Sequence, residues 1–109
     1  MARINKIRRK IDFNRIFRLG KTIHGGFLTA RFLPSQKEAG VAVVVSAKIS
    51  KKATARNKIR RRVAESLRKH MELFPQKTAL VLIAQPKALG AEFRDLDDEC
   101  LKILNKITN

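Results

Sequence analysis

The residues best able to act on another molecule are cations, and they crowd one stretch. Lys51, Lys52, Arg56, Lys58, Arg60, Arg61, Arg62, Arg68 and Lys69 follow Ser50 closely, with Asn57 among them and Glu65 alone opposing them before Glu72. An arginine presents a planar fork of N–H donors that fits two phosphate oxygens at once, and Asn57 can both donate and accept. The chemistry this offers is capture of a polyanion, not bond breaking. Groups that break bonds are sparse. No carboxylate can be assigned to His24, and His70 ends the basic stretch, where a helix dipole would favour its charged form. Cys100 with two histidines has no metal-ligand spacing. Asp97 and Asp98 are adjacent and point to different faces, whereas a nuclease cutting unaided would gather carboxylates around two metal ions. A glycine-rich phosphate loop with a following Lys-Ser/Thr is also missing.

The elements that must position these cations come next. Ala55, Ile59, Val63 and Leu67 recur every four residues, so a helix from about Lys51 would carry them as one apolar stripe. Ser50 is its expected N-cap. Arg56 and Arg60 flank one edge of the stripe. Lys51, Arg62 and Lys69 flank the other, and Asn57, Lys58, Arg61 and Arg68 lie on the far side. A helix built only for solubility would mix Glu with Lys at i, i+4. This one accepts self-repulsion, which suits a helix with a polyanion beside it.

The charge is uneven along the chain. Residues 1–70 hold 20 Lys/Arg and 3 Asp/Glu, residues 71–109 hold 5 and 6, and the total is +16. Nucleic acid is the leading partner class for such a footprint. With 44% hydrophobic residues the 109-residue chain is expected to fold, as one RNA-binding domain spanning 1–109. No apolar run approaches the roughly 20 residues of a membrane span, and no signal-peptide core follows the basic start. A cytoplasmic protein is expected. The lone Cys100 agrees, because it excludes an intramolecular disulfide, and its place on an apolar helix face favours packing over reactivity.

In order, residues 1–10 read as a basic arm that Ile4 and Ile7 could pin. Asp12 to Leu19 reads as a helix, with Asp12 as N-cap, Gly20 at C′, and Ile11 and Ile16 as a hydrophobic staple. Phe13 and Phe17 share one of its faces, as core residues or as a stacking edge for unpaired bases. Lys21 to Leu33 reads as extended, bent at Gly25-Gly26, with Phe27, Thr29 and Arg31 on one face and Leu28, Ala30 and Phe32 on the other. Pro34 to Gly40 is a polar turn. Val41–Val45 and Thr78–Ala84 are unbroken apolar runs, the mark of strands buried on both faces. They bracket the basic helix, which Pro75 ends, and so should lie parallel in one sheet. Ala91 to Ile107 is an amphipathic helix with Phe93, Leu96, Cys100, Ile103, Leu104 and Ile107 inward.

Phe13-Asn-Arg-Ile-Phe17, then Gly20-Lys21, an apolar strand, and Ala53-Thr-Ala-Arg56-Asn57-Lys-Ile-Arg-Arg-Arg-Val-Ala-Glu together resemble the protein subunit of bacterial ribonuclease P. The match runs in order over almost the whole chain. It implies an α+β, two-layer α/β sandwich with a central mixed sheet of about four strands, in the order α-β-(β)-β-α-β-α. It also implies a left-handed crossover around the basic helix, against the usual rule. The function implied is removal of the 5′ leader of precursor tRNA, with Mg²⁺ held mainly by a catalytic RNA subunit and no catalytic residue in the protein. The implied partners are ribonuclease P RNA and precursor tRNA, with no membrane and no obligate protein partner.

Carried over by position, the contacts to the catalytic RNA are Arg56, Asn57, Lys58, Arg60, Arg61 and Arg62, with Lys51 and Lys52 beside them. Phe13, Phe17 and Lys48 belong to the leader cleft. Arg31 stands there where the family often has an aromatic, and an Arg plane can also stack on a base. Two other readings fit the charge pattern: a structural, ribosomal-type RNA-binding protein with no role in cleavage, and a non-specific duplex-DNA binder.

Overall fold

A computed structural model describes residues 5–6, 10–34, 40–75 and 77–108, with side chains from Phe13 to Ile107 within those ranges. The elements are β1 (Asn5–Lys6), α1 (Lys10–Leu19), β2 (Lys21–His24), β3 (Leu28–Pro34), β4 (Gly40–Val44), α2 (Ala53–Lys69), β5 (Thr78–Ala84) and α3 (Phe93–Thr108). They form one mixed sheet in the order β1-β4-β5-β3-β2. The expected α+β architecture is present: four main strands, a two-residue edge strand and three helices.

The two apolar runs lie side by side and parallel, Val41 opposite Leu80 and Val44 opposite Ile83. Both faces of β5 are covered, which explains the absence of polar alternation in its sequence. Leu80, Leu82 and Ala84 join the core under α2 and α3 with Ile59, Val63, Leu67, Leu96, Cys100 and Leu104. Ala79, Val81 and Ile83 turn the other way, toward Ile16 and Phe13 of α1. So α2 and α3 form the layer on one face, and α1 lies on the opposite face.

Several boundaries differ from expectation. The segment Lys21–Leu33 is a hairpin, with β2 antiparallel to β3 and His24 opposite Thr29. Phe27 does not share the face of Thr29 and Arg31; it lies in the hairpin turn and packs on the α2/α3 core. α1 begins at Lys10, so Asp12 is inside its first turn and is not the N-cap. The capping and staple side chains of Asp12 and Ile11 lie outside the described residues, as do Ile4, Ile7 and most of the Pro34–Gly40 turn. Of the expected arm, Asn5 and Lys6 pair parallel with Gly40 and Val41.

α2 starts at Ala53, with Lys52 at the cap position and no side-chain cap bond. Ser50 instead accepts the Lys52 N–H at 3.2 Å. Serine favours such a bond to the amide two residues on, and it holds the chain in a turn just before the helix. Gly20 does follow α1, but no glycine among the described residues has positive φ. Its requirement is space: a Cβ there would collide with the Ile16 carbonyl oxygen and stand 2.8 Å from that of Phe32.

Two polar ties complete the frame. The Glu99 carboxylate of α3 accepts the backbone N–H groups of Gly26 at 2.8 Å, Phe27 at 2.9 Å and Leu28 at 2.5 Å, fastening the hairpin turn. Asp97 joins α3 to the end of α2. It accepts from Ser66 Oγ at 2.7 Å and Lys69 Nζ at 3.1 Å, and pairs with His70 Nε2 at 2.9 Å. Burial pushes its carboxyl up, but the bonds from Ser66, Lys69 and His70 outweigh burial and hold it below the usual carboxylate value.

A carboxyl whose folded pKa is depressed adds stability above its unfolded pKa, and loses it as pH falls through the folded value. The stability gap between the protein and an Asp97→Asn variant should therefore be full above about pH 4 and close as the pH drops below that. Urea titrations from about pH 6 down to about pH 2.5, spanning the carboxylate range, check this; a gap that widens in acid would contradict it.

Candidate nucleic-acid interface

α2 meets the fold along a thin seam. Ile59, Val63 and Leu67 are buried, as the periodicity requires, and Ser66 is buried beside them through its bond to Asp97. Lys51, Lys52, Asn57, Lys58, Arg61, Arg68 and Lys69 are exposed. Among the described residues, Lys69 forms an ion pair with Asp97, and His70 Nε2 lies within hydrogen-bond distance of the same carboxylate. No carboxylate among them neutralises a cation between Lys51 and Arg68. Apart from the exposed Glu65, the outer side of α2 thus carries positive charge with no ion-pair partner among the described residues.

Three arginines at the margins of that run also touch the protein. Arg56 Nη1 donates to the Ser50 carbonyl at 2.9 Å, and Arg60 Nη2 donates to Asn57 Oδ1 at 2.5 Å. Both are half-exposed and keep further N–H groups for a ligand. Arg62 is likewise half-exposed, and its Nη1 donates to the Ala91 carbonyl at 2.6 Å, which ties α2 to the segment before α3.

The second candidate surface lies across the sheet. Phe13 and Phe17 of α1 stack with ring centroids 6.5 Å apart, and Phe17 is 42% exposed. Arg31 of β3 sits 5.8 Å above the Phe17 ring. Arg31 is not a free plane for a base. Its Nη1 donates to Thr22 Oγ1 at 2.6 Å, and its Nη2 donates to the Phe17 carbonyl and to that of Gly20 at 3.2 Å. A guanidinium at the carbonyl end of α1 satisfies the helix's orphan acceptors and its negative pole. Arg31 thus fixes α1 and backs Phe17.

Lys48 is exposed in the turn after β4, at the sheet end where Thr29 and Gln85 also stand. Gln85 Nε2 donates to Thr29 Oγ1 at 2.9 Å, a polar pair at the end of the α1 side of the sheet. Sequence reasoning passed over Gln85, because it closes an apolar strand and carries no charge. Cys100 is buried, and burial pushes its thiol up to about 11, so packing is its part.

Comparison with known proteins shows the family and the fold. A family model described as Ribonuclease P covers residues 1–108. The chain belongs to the ribonuclease P protein family. Its relatives include the ribonuclease P protein component of Thermus aquaticus, 38% identical over 89 residues, which are 82% of this chain and 52% of that protein. The chain thus spans about half the length of the Thermus relative. The ribonuclease P protein component of a Nitratiruptor species is 28% identical over 98% of this chain and 95% of its own. Among solved structures, the RNase P protein from Thermotoga maritima superposes with a TM-score of 0.84 at 26% identity, covering 94% of this chain and 96% of that one. The Staphylococcus aureus RNase P protein has the same fold, with a TM-score of 0.82 at 22% identity over 95% of this chain and 94% of that one. The relatives named are protein components of ribonuclease P.

Since Arg31 holds α1 through its carbonyls, Arg31→Ala should destabilise the protein by about 2 kcal/mol, through lost charged hydrogen bonds. Arg31→Lys should recover part of this. Chemical denaturation monitored by circular dichroism measures it; an alanine variant as stable as the parent would contradict the assignment.

Proposed function

We propose that this chain is the protein subunit that docks on a catalytic ribonuclease P RNA through the outer side of α2 and holds the 5′ leader of precursor tRNA along the α1 side of the sheet. The observation that carries the reading is the unneutralised cationic face between Lys51 and Arg68 on an ordered helix. Side chains do not enter the deep groove of A-form RNA, so a rigid basic helix recognises the shape and phosphates of a folded RNA. Arg61 and Lys58 supply charge directly, and Arg56 and Arg60 supply forks already anchored to the protein. Lys51 and Lys52, which precede the helix, extend the charge toward Lys48.

On the other face, the exposed Phe17 ring, backed by Phe13 and Arg31, offers a platform for one unpaired base. Mg²⁺ bound mainly by the RNA would stabilise the charge that develops at the scissile phosphate. Among the described residues no three His, Cys, Asp or Glu side chains come together in a metal-binding group. The protein's part in this reading is to bind, orient and neutralise. Its place of work would be the cytoplasm; among the described residues no helix is long and apolar enough to cross a membrane.

Reconstitution tests this. The chain alone should leave precursor tRNA uncut, and added to its RNA subunit it should lower the Mg²⁺ needed for cleavage. Arg61→Ala should weaken RNA association and reduce the slope of log affinity against log salt by about one. Cleavage by the protein without RNA would overturn the reading. An unchanged Mg²⁺ requirement would favour a structural RNA-binding protein instead.

A further inference from the structure

Asn57 and Arg60 form the one side-chain to side-chain hydrogen bond on the outer side of α2 among the described residues. Seen down the helix axis, Arg56, Arg60 and Asn57 follow one another around the same quadrant, with Arg60 in the middle. Arg56 and Arg60 are one turn apart, so their charges repel. The observed bonds resolve the conflict in opposite directions. The Ser50 carbonyl draws the Arg56 fork back ahead of the helix, and Asn57 Oδ1 draws the Arg60 fork outward. Asn57 is uncharged, so it steers Arg60 without spending any of the positive charge. An Asp or Glu at that place would orient the guanidinium equally well but neutralise it.

We propose that Asn57 is a positioning residue, whose carboxamide oxygen sets the Arg60 fork, spread apart from Arg56, to receive a backbone phosphate of folded RNA. The proposal rests on the RNA-binding reading given above and names which of the motif's side chains acts through another. Arginine loses rotamer freedom when its fork is fixed, and a bond already present in the free protein means that less is lost on binding. Asn57 therefore contributes to RNA affinity mainly for as long as Arg60 is present.

The test is a double-mutant cycle on the full chain, with a transcript of its ribonuclease P RNA subunit as the probe. Asn57→Ala, Arg60→Ala and the double variant are compared by filter binding across a salt series. Both positions are at the helix surface, and thermal unfolding checks that the variants melt like the parent. Asn57→Ala should weaken binding roughly fivefold, and Arg60→Ala at least as much, while the double variant binds within about twofold of Arg60→Ala. The salt slope should fall by about one for Arg60→Ala and stay unchanged for Asn57→Ala.

Additive losses would overturn the proposal, because Asn57 would then contact RNA independently. So would parental affinity in Asn57→Ala while Arg60→Ala is weak. If neither variant weakens binding but Arg61→Ala does, this edge of α2 does not face the RNA, and the proposal fails while the RNA reading stands. If the parent chain itself does not bind the transcript, the RNA reading has failed.

Discussion

Ile59, Val63 and Leu67 hold α2 to the sheet, and they do so against the charge of the rest of that helix. Each such side chain contributes roughly 1.5–3 kcal/mol when fully buried. Each like-charged i, i+4 pair on the surface costs only about 0.2–0.5 kcal/mol. Burial wins comfortably, so a narrow seam is enough to keep a rod of positive charge in one orientation. A broader apolar face would have consumed positions that now carry Lys58, Arg61 and Arg68. The narrowness of the seam is what leaves most of the circumference free to face an anion.

The second constraint is that β5 is covered on both sides. Because Ala79, Val81 and Ile83 turn toward α1, that helix has a floor to rest on, and its Phe17 ring is lifted toward solvent. Arg31 then closes the end of α1. One sheet thus separates two surfaces of different character: cationic charge over α2, and an aromatic edge with polar neighbours over α1. The first suits structured RNA and its phosphates; the second suits a single strand with bases exposed.

How much of this was legible follows from the kind of force involved. The apolar faces were plain in the sequence: the four-residue spacing in α2, the apolar runs of β4 and β5, and the inward row Leu96, Cys100, Ile103 and Leu104 all report burial directly. What stayed hidden were polar contacts between residues far apart in the chain. Nothing in the spacing of Glu99 marks it, and only the fold brings Gly26, Phe27 and Leu28 to it. Ser66 finds its partner only where α3 brings Asp97, and Arg62 only where the segment before α3 brings the Ala91 carbonyl. Arg31 had a place in the cleft by resemblance, but its bonds to the carbonyls at the end of α1 depend on three-dimensional proximity. Cap positions shifted by two residues because Ser50 serves a turn as readily as a helix.

The most direct test is to map where the RNA subunit touches the isotope-labelled chain by nuclear magnetic resonance. A seam-held cationic helix predicts that Lys58, Arg61 and Arg68 show the largest signal changes and the strongest line broadening, while Arg94, Lys102 and Lys106 on the outer side of α3 remain close to their free positions. Changes centred on α3, with α2 unaffected, would contradict it.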